Sequence, residues 1–367
     1  MKAFSLFIIL FFAVTLPIYA THLFGGEIQA TKIKGQNYKI TVKLYLDNAS
    51  GGTSSNGLNQ VKVCFGDGEV SDFSATGDSP SIEGVTIRTF EGLHTYSSPG
   101  TFQISVALAD RSTDIINLSK SQPSSQFLWL VVDTKLENST PIFKDFPVQA
   151  GVRQAFTMDL NPLNAESDSM SYKIAHISKP SPGTCGVRMS MSDDLYPNDI
   201  SKSGRFYINK ENFLNWTAPE IKGKYIFAVV AYEWRDGVKI SETYREVLII
   251  VDDLPGEYIE IPAYVNADNL TPNTITGSQN GSSEIALTVS AYPVPTMDKV
   301  TVKANTGLRQ NITIQLLDLS GRVLAAYLSE PTFTFEQVVD LTNFSPGLYI
   351  ISAKTNHETA SKKIVKK

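Results

Sequence analysis

Residues 292–304 read YPVPTMDKVTVKA, residues 312–324 read ITIQLLDLSGRVL, and residues 338–367 read VVDLTNFSPGLYIISAKTNHETASKKIVKK. Val300, Val302 and Ala304 alternate with polar residues, and Ile312, Ile314 and Leu316 do the same. A period of two sends alternate side chains to one face, so each run is a strand with one buried side. Leu319-Ser320-Gly321 separates one strand from the next, and Gly347 precedes the apolar run Leu348-Tyr349-Ile350-Ile351. The stretch is a small all-β module.

The rest of the chain has the same character. Segments rich in Val, Ile, Thr, Tyr and Phe alternate with Gly, Pro, Asn, Asp and Ser turns, and long 3.6-period stretches are scarce. The fold class is therefore all-β. At 367 residues, with 42% hydrophobic and 19% charged, the chain has enough apolar material for two or three packed domains. A formal charge of −5 lacks the basic face that nucleic acid requires.

The C-terminal motifs carry a resemblance. Tyr292-Pro293-Val294-Pro295, the turn Asp318-Leu319-Ser320-Gly321-Arg322, the segment from Asp340-Leu341 through Phe344 and Gly347 to Tyr349, and the lysine-rich end stand in family order. Residues 286–367 resemble the type A C-terminal sorting domain that directs Bacteroidetes proteins through the type IX secretion system. The resemblance implies a β-sandwich, recognition by the type IX machinery, and processing that removes the module. At the other terminus Lys2 precedes the apolar run 4–13, then Pro17 and the small residue Ala20. Residues 1–20 read as a secretory signal peptide, too short to be a transmembrane segment. The expected location is secreted, extracellular or on the outer cell surface.

Between the termini three pieces are expected. The first, 21–135, contains a strand at 38–47 with Ile40, Val42, Leu44 and Leu46 on one face. Phe65-Gly66-Asp67-Gly68, with His94-Thr95-Tyr96 and Pro99-Gly100-Thr101-Phe102, resembles the polycystic-kidney-disease (PKD) type of Ig-like domain. Where that family commonly has a tryptophan before the turn, this chain has Val63 and Cys64. Gly66 and Gly68 are expected at positive φ, with the Asp67 side chain bonding its own turn. The second piece, 136–253, resembles cadherin-like and bacterial Ig-like domains at its Pro141 and Phe143 start. It should end in a hairpin about Asp236-Gly237, with Trp216 and Trp234 in the core. Taken together, 21–253 resembles surface proteins labelled gliding-motility-associated. Residues 254–285 are polar and read as a linker. The expected architecture is tandem Ig-like β-sandwich domains followed by a C-terminal β-sandwich sorting domain.

Cys64 and Cys185 could pair across two domains in an oxidising compartment, or pack singly as small hydrophobes. Placement on a strand and in a Pro-Gly-Thr loop favours the unpaired form.

Candidate sites are few. Asn164, Glu166 and Asp168 precede Ser169-Met170-Ser171-Tyr172, resembling the acidic loop of cadherin-like domains. Calcium takes six to eight hard oxygens, so these three are the candidate metal ligands. A solvated acidic turn is the alternative, as it is for Asp193, Asp194 and Asp199. The four histidines, His22, His94, His176 and His357, make no two-histidine metal spacing. No G-x-S-x-G elbow or phosphate loop occurs. The expectation is a non-catalytic protein of adhesion, structure or binding, with no cofactor unless calcium. Its ligand would be a surface glycan or protein, met through the polar loops 48–59 and 178–192. The alternative is a secreted glycan- or protein-directed hydrolase with an unrecognised active site; for glycosidic cleavage its carboxylates would come from distant strands.

Overall fold

The alternation at residues 38–47 holds as far as Leu44: Ile40, Val42 and Leu44 are fully buried with half-buried residues between them, and from Tyr45 onward both sides of the strand are buried. A computed structural model describes residues 23–47, 58–82, 84–109, 111–112, 114–118, 125–163, 168–181, 183, 185–186, 188–191, 194–267, 287–355 and 359–367. The expected signal peptide lies outside them.

The chain opens with β1 (Leu23–Lys34), β2 (Asn37–Asp47), β3 (Gln60–Cys64), β4 (Val70–Ile82), β5 (Val85–Thr95), β6 (Thr101–Leu108) and β7 (Gln126–Asp133). Shorter strands follow: β8 (Gln149–Gly151), β9 (Ala155–Asp159), β10 (Ser169–Ala175), β11 (Ser178–Pro180), β12 (Arg188–Ser190), β13 (Phe206–Ile208) and β14 (Phe213–Thr217). The long hairpin is β15 (Gly223–Arg235) and β16 (Val238–Asp252). The sorting segment supplies β17 (Thr288–Tyr292), β18 (Lys299–Gln310), β19 (Thr313–Leu317), β20 (Val323–Leu328), β21 (Thr332–Asp340), β22 (Gly347–Lys354) and β23 (Thr359–Lys366). A 3₁₀ turn, Pro197–Asp199, lies between β12 and β13.

The pieces 21–135 and 136–253 share one sheet. Its eleven strands run β1-β2-β5-β4-β3-β6-β7-β16-β15-β10, with β8 also on β16, and β1 pairs β16 as well. Strand β16 is the seam. Ser241–Thr243 pair with β7, Arg245–Val247 with β1, and Ile250–Asp252 with β8, while the whole strand pairs with β15. One hydrophobic cluster spans both pieces, from Ile28 and Phe90 through Leu130 to Leu214 and Val247. Each such fully buried aliphatic contributes ~1.5–3 kcal/mol, so the shared core binds the pieces into one body. At the hairpin turn Asp236 and Gly237 both have positive φ, as an Asp-Gly turn of this hand requires.

Four expectations change. Trp216 is fully buried, but Trp234 is only half-buried and donates its ring N–H to Ser171 at 2.8 Å. Cys64 and Cys185 form a disulfide, their Cα atoms 5.8 Å apart. The shared sheet carries β3 to the β11–β12 hairpin, a juxtaposition that sequence separation hides. The first half of the expected linker is a strap on the body: Ile259 N donates to Arg153 O, Val265 N to Gly204 O, and Ala267 is fully buried. The described part of the segment 178–192 is not a free loop. It forms the β11–β12 hairpin, carries the disulfide, and buries Ser178 and Arg188.

The sorting segment is a separate sandwich. A three-stranded sheet, β17-β18-β21, packs on a four-stranded sheet, β20-β19-β22-β23. Val300, Val302 and Ala304 meet Ile314, Leu316, Ile351 and Ile364 in a core of their own.

Candidate functional site

The motifs of the sorting segment turn out to be its joints. Asp318 accepts hydrogen bonds from the Ser320 amide and hydroxyl and from the Arg322 amide at 2.6–3.0 Å, closing the Asp-x-x-Gly-Arg turn. Asp340 does the same for the Thr342 amide and hydroxyl. These bonds hold both carboxyls below the usual range. Tyr349 donates its hydroxyl to Ser345 O at 2.7 Å and sets its ring edge-on to Phe344. On the outer side of the four-stranded sheet, the cross-strand partners Leu348 and Val365 are exposed. Val323 and Leu328 on β20 are exposed too.

The module sits on the body through a defined seat. The Arg188 guanidinium lies between two rings, 3.7 Å from the centre of Trp129 in the body and 4.3 Å from that of Tyr292 at the module's start. Its Nη1 donates to buried Glu242 at 2.9 Å, and its Nε donates to Glu336 of β21 at 3.1 Å. Glu242 also accepts from Lys239. Lys303 of the module lies 3.3 Å from the Tyr232 hydroxyl. Burial pushes the Glu242 carboxyl up, but Lys239, Arg188 and Lys303 hold it well below the usual carboxylate range. Burial pulls Lys303 down, yet Tyr232, Glu242 and Glu336 keep it above its ordinary value. Beside these charges Val294 and Thr101 exchange both backbone hydrogen bonds, at 2.8 and 3.1 Å. Lys367 Nζ donates to Asp67 O at 3.1 Å.

Two further charge clusters lie inside the body. Arg111 grips Glu246 with two bonds of 3.0 Å. The Tyr244 hydroxyl donates to Glu246 and accepts from the Ser178 amide. Burial raises the Glu246 carboxyl even with Arg111, Tyr244 and Gln126 engaged. Arg245 pairs with Glu27, donates to Lys144 O, and lies over the Phe143 ring at 4.8 Å.

Of the candidate calcium ligands, Asn164 and Glu166 lie outside the described residues. Both oxygens of Asp168 accept from Arg235, at 2.8 and 2.6 Å, so calcium there would compete with a guanidinium already in place. Asp193 is also outside the described residues. Asp194 accepts from the Ile177 amide and pairs with His176 at 3.0 Å, and Asp199 accepts from Lys202. Among the described residues, Asp168, Asp194 and Asp199 belong to no group of three or more metal-ligating side chains. Asp67 closes its turn on the Glu69 amide, with Gly66 and Gly68 at positive φ, and its other oxygen lies 2.8 Å from His94 Nε2. Residues 48–57 of the first polar loop are not among those described.

Sequence reasoning passed over Arg188, Arg111, Arg245 and their carboxylates. A signal was present in SETYREVLII: Glu242, Tyr244 and Glu246 share one side of β16 and Thr243 and Arg245 the other, in a strand that continues as a wholly apolar run. Charges on both sides of such a strand announce buried partners.

Comparison with known proteins agrees with the module's geometry. Residues 290–367 match the family model described as "Secretion system C-terminal sorting domain". No curated protein matches the chain. Among solved structures, a biofilm associated protein BSP domain is 9% identical, with 96% of this chain and 67% of that chain covered and a TM-score of 0.20. Dimeric latent PorU from Porphyromonas gingivalis is 10% identical, with 95% of this chain and 34% of that chain covered and a TM-score of 0.22. The chain thus spans about a third of PorU's length. Neither TM-score supports a residue-by-residue correspondence. Among the described residues no helix is long and apolar enough to cross a membrane. The C-terminal module is a type IX secretion sorting domain, and the protein that carries it is secreted to the cell surface or the extracellular space.

Proposed function

We propose that the exported body is a non-catalytic surface component acting in adhesion or structure, with a glycan or protein as its ligand. One observation carries this reading: the buried carboxylates Glu27, Glu242 and Glu246 are each committed to an arginine. A carboxylate locked to a guanidinium inside a sheet is a frame member, whereas acid–base chemistry wants one reachable by substrate. A packed β frame that carries loops at its surface is a geometry suited to contact with another surface. A polar cleft of about 340 Å³ at the β1–β2 turn, lined by Lys32, Lys34, Glu137 and Asn138 among others, supports this reading. Its lining suits glycan hydroxyls better than an enclosed substrate.

The test is fractionation of the native host, comparing the full chain with one ending at Ala267, which keeps the strap on the body. The full chain should reach the surface or medium, and the shorter one should stay in the periplasm. Exported protein should then bind glycan- or protein-coated surfaces without hydrolysing them. Equal localisation of both chains would sink the export reading, and hydrolysis by the purified protein would sink the non-catalytic one.

A further inference from the structure

The contact between body and sorting module has the composition of a recognition site. An arginine is sandwiched between two rings, a buried carboxylate stands beside it, and one strand-to-strand bridge runs alongside. We propose that this Arg188-centred seat is a protein-binding site whose ligand is the sorting module, so that the module stays bound to the body after residues 268–286 between them are cut.

Four features support a site rather than a chance contact. Tyr292 packs into the hydrophobic cluster of the body, not into the module's own core. Arg188 divides its donors between Glu242 of the body and Glu336 of the module, so neither part alone satisfies it. At Gly100 a Cβ would stand 2.7 Å from Val294 O, so the backbones approach as closely as they do only because the residue is glycine. Finally, the disulfide anchors Cys185, in the same hairpin as Arg188, to the C-terminal end of β3. The ligand chemistry follows: an extended segment that adds one strand bridge at Thr101, places an aromatic ring on Arg188 and brings up a carboxylate.

The experiment uses the full chain with a specific protease sequence placed within residues 268–286. After cutting, both fragments should co-elute in gel filtration at neutral pH, and the Val294 and Thr101 amides should remain protected from hydrogen exchange. Glu336→Lys, on the module side of the seat, should weaken association on the order of tenfold or more, because it sets a cation against Arg188. Glu330→Lys makes the same charge change at an exposed position of the module and should leave association unchanged. Thermal unfolding of each variant checks that the module still folds. Separation of the unaltered fragments on cutting would overturn the proposal, as would equal association of the two lysine variants. Because no export step is involved, failure here is distinct from failure of the surface reading.

Discussion

The Arg245 guanidinium of β16 and the Glu27 carboxylate of β1 form a fully buried ion pair between residues 218 positions apart. Gln29 donates to the second Glu27 oxygen at 2.9 Å, and Lys144 O accepts from Arg245 at 2.7 Å. The pair joins the first described strand to the last strand of the body, across the place where two domains were expected to part.

Removing one partner leaves the other charged and enclosed. Glu27→Ala should therefore cost about 3–5 kcal/mol in urea-induced unfolding of the body. The body should also unfold in one transition, seen alike by tryptophan fluorescence and far-UV circular dichroism. Two resolved transitions would mean that the pieces fold independently and that the pair is not a tie.

The disulfide closes a loop with a sequence separation of 121 between Cys64 and Cys185. By loop-closure entropy a loop of that order gains about 5 kcal/mol from cross-linking. Reduction, or Cys64→Ser with Cys185→Ser, should lower the unfolding free energy by that amount. Two free thiols titrated in denatured, unreduced protein would show that the bond does not form.

Acid should loosen the turn at Asp67. Burial pushes this carboxyl up, but hydrogen bonds from His94 and the Glu69 amide, with the His94 charge, hold it below its ordinary value. A depressed carboxyl contributes stability that is fully present above its unfolded pKa, about 3.9, and is lost as pH falls through the lower folded value. Asp67→Asn should flatten the acid limb of the stability curve below pH ~4. An unchanged acid limb in the variant would remove Asp67 from the account.

Two glycines of the first hairpin should respond differently to alanine. A Cβ on Gly25, at φ +135°, would lie 2.0 Å from Glu246 O in the paired strand, whereas one on Gly35, at φ +58°, meets nothing within 4 Å. Gly35→Ala carries only the left-handed penalty, roughly 1–2 kcal/mol. Gly25→Ala must in addition part β1 from β16, and should cost at least ~3 kcal/mol or prevent folding. Equal melting temperatures for the two variants would contradict the β1–β16 pairing.

Local patterns were legible wherever one strand face meets one core. The alternation of Ile40, Val42 and Leu44, and that of Val300, Val302 and Ala304, named residues that are fully buried. The Asp236-Gly237 turn and the Asp318 turn were visible because each closes within a few residues. Trp234 was misread because its size suggested a core position, while its ring N–H finds Ser171 at a half-buried edge. The strap at 254–267 was misread because its polar composition hides backbone bonds to Arg153 and Gly204.

By itself the sequence determined the strand class, the turns and the sorting module, since periodicity and turn chemistry act over a few neighbouring residues. Only the tertiary structure decided which strands pair, that β16 joins the two expected domains, and which charges meet. Alternation says which face of a strand is buried but not against what. The Cys64–Cys185 bond, the Arg245–Glu27 pair and the ring sandwich on Arg188 each depend on segments brought together by the closing of the sheet or the docking of the module.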